Sequence, residues 1–350
     1  MKNIQIENII IGQNQPPFII AEMSGNHNQS LERALAIVDA AADAGADAIK
    51  LQTYTADTLT IDISTNEFFI EDKNSLWKGR NLYDLYKEAF TPWEWHKPIF
   101  EHAKKRGIIA FSTPFDDTAV DFLEDLNVPL HKIASFENNH LPLLKKIAKT
   151  GKPVIMSTGI STLGGIDEAV KTLMENGCSD LVLLKCTSTY PATPENTNLK
   201  TIPHLSQLFG CQTGLSDHTM GIGASVAAIA LGATVIEKHF CLDRSEGGVD
   251  AAFSLEPAEF KMLVDECKRA HLALGSIFYG IQEAEKKSLT YKRSIYVVQD
   301  IEKGEKFTAE NIRIIRPGLG ISPKYIDIVL GKTANTDLKR GTALDFKYLS

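Results

Sequence analysis

The chain has 350 residues, which at ~150 residues per domain gives about two domains, and its 37 Lys and Arg against 44 Asp and Glu leave a net charge of −7. That balance lacks the basic excess of a nucleic-acid surface. Hydrophobic content of 43% and charged content of 23% fit globular domains large enough to fold without disulfide or metal staples.

Met1 to Phe18 carries acids and amides without a long apolar stretch, so no signal peptide is expected. The longest nearly apolar stretch, Ala224–Ile236, is too short to span a bilayer. The five cysteines (178, 186, 211, 241 and 267) are scattered, odd in number and form no CxxC pair, which suits a reducing, cytoplasmic setting.

Between residues 18 and 240, short apolar or β-branched runs alternate with longer stretches of helical period. The runs are FIIAE (18–22), AIKLQT (48–53), IIAFST (108–113), LHKIAS (130–135), PVIMST (153–158), LVLLKC (181–186), CQTGLS (211–216) and TVIEKHF (234–240). Helical pattern covers Leu31–Ala44, Pro92–Lys105, Ala119–Leu126, Leu141–Lys149, Ile166–Glu175, Gly223–Leu231 and Pro257–Leu274. Glycines at 45, 107, 151, 177 and 232 sit where helices should stop. Eight β/α units with strands apolar on both faces predict a parallel sheet closed as a (β/α)8 TIM barrel. The alternative is an open doubly wound sheet, but the loop after the first run reads EMSGNHN, which is no dinucleotide fingerprint. The connection 54–91 is too long for an ordinary loop. At a barrel mouth it reads as a lid or specificity loop, with a surface insertion as the alternative. Beyond residue 275 the rhythm breaks. Residues 276–292 read as a polar linker, and 293–350 as a small β-rich module of short strands and Lys-Gly turns.

Polar residues at the C-terminal ends of barrel strands point into the catalytic mouth. His218 and His239 come from the last two strands, and neighbouring strands lie ~4.8 Å apart, so both imidazoles can reach one divalent ion such as Mn²⁺. The alternative is a pair of hydrogen-bonded structural histidines. His27 is a weaker third ligand candidate, and the histidines at 96, 102, 131, 140, 204 and 271 read as solvated or capping. Thr113, Ser135, Ser157, Ser188 and Ser216, with Lys50 and Lys132, supply the hydroxyl and ammonium donors that a phosphate or carboxylate needs, although some of these hydroxyls are simple helix caps. Lys50, Lys132, Lys185 and Lys238 also admit a rival chemistry, a Schiff base with a carbonyl substrate.

At these residues the sequence resembles the sialic acid synthase family, most of all its pseudaminic acid branch. The motifs are IIAEMSGNHN (19–28), KLQT (50–53), FSTPF (111–115), KIASFE (132–137), STG (157–159), KCTSTYP (185–191), GLSDHT (214–219), EKHF (237–240) and GGVDAAFS (247–254). KGE (303–305), TAENI (308–312) and RPG (316–318) resemble the family's antifreeze-like (SAF) domain. The resemblance implies a catalytic TIM barrel over 1–275, a linker over 276–292 and a SAF domain over 293–350. It implies a transferase that condenses phosphoenolpyruvate with an N-acetylated amino sugar. His218 and His239 would ligate the metal, Mn²⁺ before Mg²⁺ or Co²⁺. Lys50, Thr113, Lys132, Ser135, Ser157, Ser188 and Ser216 would hold phosphoenolpyruvate, and Glu22 would act near the reacting centre. Gln52, Glu137, Tyr190 and Asp250 would face the sugar, and the partner subunit's Arg316 would reach it in a homodimer.

Two departures bear on the acceptor. Cys186-Thr187-Ser188 stands where sialic acid synthases commonly read Cys-Thr-Asn, and Gly248-Val249-Asp250 where they read Gly-Pro-Asp. With SLWKGR inside the long 54–91 segment and TPWEWHKPIF at 91–100, these features look like the pseudaminic branch. Its acceptor is 2,4-diacetamido-2,4,6-trideoxy-L-altrose, and its product the family associates with flagellar or surface glycans. N-acetylneuraminate or legionaminic acid synthesis is the alternative, and a Schiff-base aldolase or a non-catalytic sugar-binding protein the remoter ones. The 6-deoxy acceptor calls for apolar contacts, for which Phe68, Trp77 and Tyr83 are candidates.

Overall fold

The computed structural model describes residues 1–72 and 75–350. It divides into two units, Met1–Gly275 and Ser276–Ser350.

In the first unit, strands β1 (Ile4–Ile6) and β2 (Ile9–Ile11) form an antiparallel hairpin. The following strands are β3 (Phe18–Glu22), β4 (Ala48–Thr53), β5 (Ile109–Pro114), β6 (His131–Ile133), β7 (Val154–Ser157), β8 (Leu181–Cys186), β9 (Gln212–Asp217) and β10 (Val235–His239). Among the described residues these eight pair in parallel and close into a barrel, β10 returning to β3. Each lies within or one residue beyond its predicted run.

Side chains alternate across the strands, and the alternation sorts the core. Phe18, Ile20, Ala48, Ile109, Phe111, Ile155, Val182, Leu184 and Val235 fill the lower interior, where Ile4, Ile6 and Ile11 of the hairpin join them. Ile19, Ile49, Leu215 and Ile236 face outward onto helices such as Leu31–Asp43 and Pro257–Leu274. Burying each such side chain contributes ~1.5–3 kcal/mol. With the lower barrel packed by hydrocarbon, only the upper layer of inward side chains is left to line a site.

Several elements escaped the sequence reading, the first hairpin and one barrel helix among them. The β1–β2 hairpin has strands too short for a period to show. Helix Thr201–Phe209 contains Pro203 and opens on β-branched residues, which obscures its pattern. The described residues of the 54–91 segment hold helices Ala56–Leu59 and Leu82–Ala89, and hydrogen bonds from Ile70 N to Arg80 O (2.9 Å) and from Gly79 N to Ile70 O (2.8 Å).

The second unit pairs β11 (Ser294–Val297) with β12 (Ile312–Ile315) in antiparallel register. Its own core gathers Ile295, Val297, Ile301, Phe307, Ile312, Val329 and Leu344. The stretch read as a linker carries a 3₁₀ helix, Glu283–Tyr291, and Thr290 O accepts from Gly318 N. Among the described residues, no helix is long and apolar enough to cross a membrane.

Candidate active site

The upper barrel opens into a cavity of about 300 Å³ in the first unit. Its floor follows from the strand register. Glu22 pairs with Lys50 on one side and His239 on the other, and Glu237 pairs with Ser216. Their even spacing aims Glu22, Lys50, Gln52, Lys132, Ser157, Ser216, Glu237 and His239 into one space.

A buried charge network fills that floor. Lys50 Nζ lies 2.5 Å from Glu22 Oε2 and 3.3 Å from Thr113 Oγ1. Glu237 Oε1 stands 3.8 Å from both the Lys50 and the Lys132 ammonium and accepts from Ser216 Oγ at 3.2 Å. Lys132 Nζ also donates to Ser157 Oγ at 2.7 Å. The carboxylates diverge in character. Burial, reinforced by repulsion from Glu237, lifts Glu22 above the usual carboxylate range despite Lys50. Burial works the same way on Glu237, but the Lys132 and Lys50 ammoniums overcome it and hold Glu237 low. Burial depresses Lys132, whereas Glu22 and Glu237 outweigh burial at Lys50 and raise it. Glu237 Oε2 and Glu137 Oε2 are buried without a hydrogen bond, so the cavity presents acceptors that await a donor. Burial pushes Glu137 up to about 7.

Beside this network stand the two histidines, ring centroids 5.3 Å apart and planes at 65°. Tyr190 tilts over His218 at 4.4 Å, and Phe253 meets His239 edge-on at 4.8 Å. His218 Nδ1 lies 2.9 Å from the Thr187 carbonyl, a contact that puts the proton on Nδ1 and leaves the Nε2 lone pair free. His239 Nδ1 is buried with no hydrogen bond, and burial together with the His218 charge holds this imidazole far below its ordinary value, hence neutral. Asp250 Oδ2 is 3.7 Å from that nitrogen. His218 is the opposite case: burial opposes its proton, but the neighbouring Cys186 and the Thr187 carbonyl outweigh burial and raise it. Two oriented imidazoles fit a divalent ion, whose binding at His218 displaces a proton. Among the described residues no group of three His, Cys, Asp or Glu side chains joins them as a metal-ligand cluster, so water and substrate oxygens would complete the shell.

Of the residues singled out in the sequence, Glu22, Lys50, Gln52, Lys132, Ser135, Glu137, Ser157, Tyr190, Ser216, His218, His239 and Asp250 line this cavity. Thr113 stands behind Lys50 as its hydrogen-bond partner. Ser188 lies beside the cavity-lining Cys186, Oγ to Sγ 3.7 Å, and meets Ser135 at Gly159, where an added Cβ would collide with both hydroxyls. Arg316 is exposed in the second unit, just after β12. His27 is not a third ligand: it is buried against Thr91 (3.2 Å) and Trp95, away from the cavity, and burial drops it to about 4. Nor are His96 and His131 solvated. His96 is buried on Thr53 (2.8 Å) and His131 on Glu124 (2.8 Å), each partner supplied by another element. Lys185 bonds Cys186 O and Thr187 outside the cavity, and Lys238 pairs with Asp217 on the helix side of the barrel.

Sequence reasoning gave no role to Glu237, Ser24 or Cys186. For Glu237 a signal existed, its two-residue spacing from His239 on one strand face. Ser24 donates to Asp250 and accepts from Gln52 Nε2 at 3.1 Å. Of the three apolar candidates, Trp77 lines the cavity, while Phe68 and Tyr83 do not; the Tyr83 phenol turns to Asp57.

The NeuB family profile matches residues 37–279, and the SAF domain profile matches residues 292–349. The pseudaminic acid synthase of Campylobacter jejuni is 48% identical over 93% of this chain and 95% of that protein. The pseudaminic acid synthase of Helicobacter pylori is 43% identical over 94% of this chain and 97% of its own length. Among solved structures, the N-acetylneuraminic acid synthetase of Leptospira borgpetersenii superposes with a TM-score of 0.72 at 35% identity, covering 83% of this chain and 96% of that one. With a charged floor and paired imidazoles at the mouth of a TIM barrel, and with these matches along nearly its whole length, the chain belongs to the NeuB family.

Proposed function

We propose that the chain is a pseudaminic acid synthase, joining phosphoenolpyruvate, 2,4-diacetamido-2,4,6-trideoxy-L-altrose and water into a nine-carbon nonulosonic acid with release of phosphate. Its likeness to synthases of that name supports the reading. The observation that carries it is the pairing of two buried ammoniums, Lys50 and Lys132, with two facing imidazoles in one cavity. Such ammoniums and nearby hydroxyls suit an anion carrying both phosphate and carboxylate.

In this reading Lys50, Lys132, Ser135, Ser157, Ser188 and Ser216 bind phosphoenolpyruvate, and Thr113 orients Lys50. Glu237, kept anionic, holds both ammoniums at that end. His218 and His239 hold a divalent metal, Mn²⁺ by preference, which when bound supplies Lewis-acid polarisation of the sugar's aldehyde. Gln52, Glu137, Tyr190 and Asp250 orient the sugar. Carbon 3 of phosphoenolpyruvate bonds to the aldehyde carbon, the C=O π electrons move to the aldehyde oxygen, which takes up a proton to become a hydroxyl, and water adds at carbon 2. Glu22, the carboxylate whose proton affinity is raised, takes the proton of that water. Phosphate then leaves carbon 2 with the electrons of the C–O bond, taking up the proton of the carbon 2 hydroxyl as its O–H electrons form the ketone. Orienting two small molecules supplies ~7–11 kcal/mol of such a barrier reduction. The partner subunit's Arg316 contacts the sugar in a cytoplasmic homodimer.

A panel of acetamido sugars incubated with phosphoenolpyruvate and Mn²⁺, read by product mass, tests the reading. The 6-deoxy diacetamido sugar should give the fastest condensation. Faster product formation from N-acetylmannosamine would replace the pseudaminic reading with the neuraminate one.

A further inference from the structure

The cavity has two unlike halves. Barrel strands build the polar floor, whereas the outer wall comes chiefly from the 54–91 insertion and is mostly hydrocarbon. Helix Leu82–Ala89 places Leu82, Leu85, Tyr86 and Ala89 at i, i+3, i+4 and i+7, one face of a helix. All four line the cavity, with Ile70 and Trp77 beside them.

This wall is anchored. Asn81 caps the helix, its Oδ1 accepting from Asp84 N at 2.7 Å. At the other end Gln29 Nε2 donates to Glu88 O (2.8 Å) and Phe90 O (2.6 Å). Trp77 Nε1 donates to Val249 O at 2.9 Å, and its ring leans on Tyr190 at 5.8 Å. Val249 itself lines the cavity. A wall held at these points cannot easily fold back to admit water to a sugar hydroxyl pressed against it.

We propose that this face, Leu82, Leu85 and Tyr86 with Ile70 and Trp77, selects the acceptor: it takes the deoxy methyl group and rejects a sugar that carries a hydroxyl there. The inference rests on the synthase reading for its acceptor and assigns that reading a specificity element. A hydroxyl brought against the aliphatic part of the wall loses its water and finds no partner. An apolar pocket of this kind discriminates by roughly tenfold to a hundredfold.

The test uses the full-length protein and two sugars, a 6-deoxy diacetamido hexose and its 6-hydroxy counterpart. Each is measured for kcat/KM with phosphoenolpyruvate and for affinity by titration calorimetry. The unaltered protein should prefer the 6-deoxy sugar by roughly 10–100-fold in both. Leu82→Asn and, separately, Ile70→Asn should cut that ratio about tenfold while the KM for phosphoenolpyruvate stays constant; a general loss of packing would move both. Equal handling of the two sugars by the unaltered protein, or an unchanged ratio in both folded variants, overturns the inference. If the affinities differ as expected but neither sugar is turned over, the wall stands and the synthase reading fails.

Discussion

Asp217 and Lys238 form an ion pair, Oδ2 to Nζ 3.0 Å, with both side chains fully buried on the outer face of β9 and β10. The residues that follow them, His218 and His239, carry the paired imidazoles into the cavity. Asp217 also accepts from Thr219 N, Thr219 Oγ1 and Ser225 Oγ, and Lys238 donates to Thr219 O. The pair thus clamps from behind the two strands whose relative position sets the distance between the histidines. Asp217→Ala strands a buried ammonium and should cost ~3–5 kcal/mol, read as a lowered urea midpoint at unchanged m-value. Metal affinity should fall with it, while Asp217→Ala with Lys238→Met should recover most of the stability.

His218→Ala and His239→Ala should each lower acceptor-dependent phosphate release by on the order of a thousandfold, the several kcal/mol that a Lewis acid supplies, with an unaltered circular dichroism spectrum. A chelator should silence the native protein and Mn²⁺ should restore it. Full activity in chelator would remove the metal from the account.

Lys132 and Glu237 act as a unit, because each neutralises the other inside the barrel. Lys132→Met should weaken phosphoenolpyruvate binding roughly 10–100-fold, the ~1.5–3 kcal/mol of a charge-assisted hydrogen bond, and should also destabilise the fold. Adding Glu237→Gln should restore stability but not binding, and a double-mutant cycle by calorimetry separates the two. Borohydride treatment with both substrates should leave no covalent adduct on Lys132 or Lys50; a trapped adduct would support the Schiff-base chemistry instead.

Glu137 gives a pH dependence of known sign. Burial raises it from 4.5 to about 7, so the folded state binds its proton more tightly than the unfolded chain. Its contribution to stability is full below about pH 4.5 and is lost as pH rises through about 7. Glu137→Gln removes that loss and should gain up to about 3 kcal/mol over the parent at pH 8, with no difference near pH 4. Denaturation midpoints at the two pH values check it; equal midpoints at pH 8 would contradict it.

The barrel was legible because parallel strands buried on both faces leave continuous apolar runs. The site was legible where one strand carries its own alternation. His239 was read there, but the rest of the alternation in EKHF was not used: Glu237 shares its face, and Lys238, kept as a Schiff-base candidate, must point the other way and pairs with Asp217. Partners from distant elements were not legible. Nothing near His96 announces Thr53, and nothing near His131 fixes which acid holds it, so both histidines read as surface residues although they are buried. The wall of Leu82, Leu85 and Tyr86 was hidden for a related reason. An eight-residue helix inside a long insertion shows too few turns for its period to stand out, and only the folded chain brings Trp77 to Val249 and Tyr190.

A crystal of the protein grown with Mn²⁺ and phosphoenolpyruvate, measured at a wavelength where manganese scatters anomalously, bears most directly on the chemistry. A single anomalous peak between the imidazoles of His218 and His239, with phosphate density against Lys132, Ser157 and Ser216, is the expected result. Manganese bound elsewhere, or a floor that holds no phosphate at saturating phosphoenolpyruvate, would contradict it.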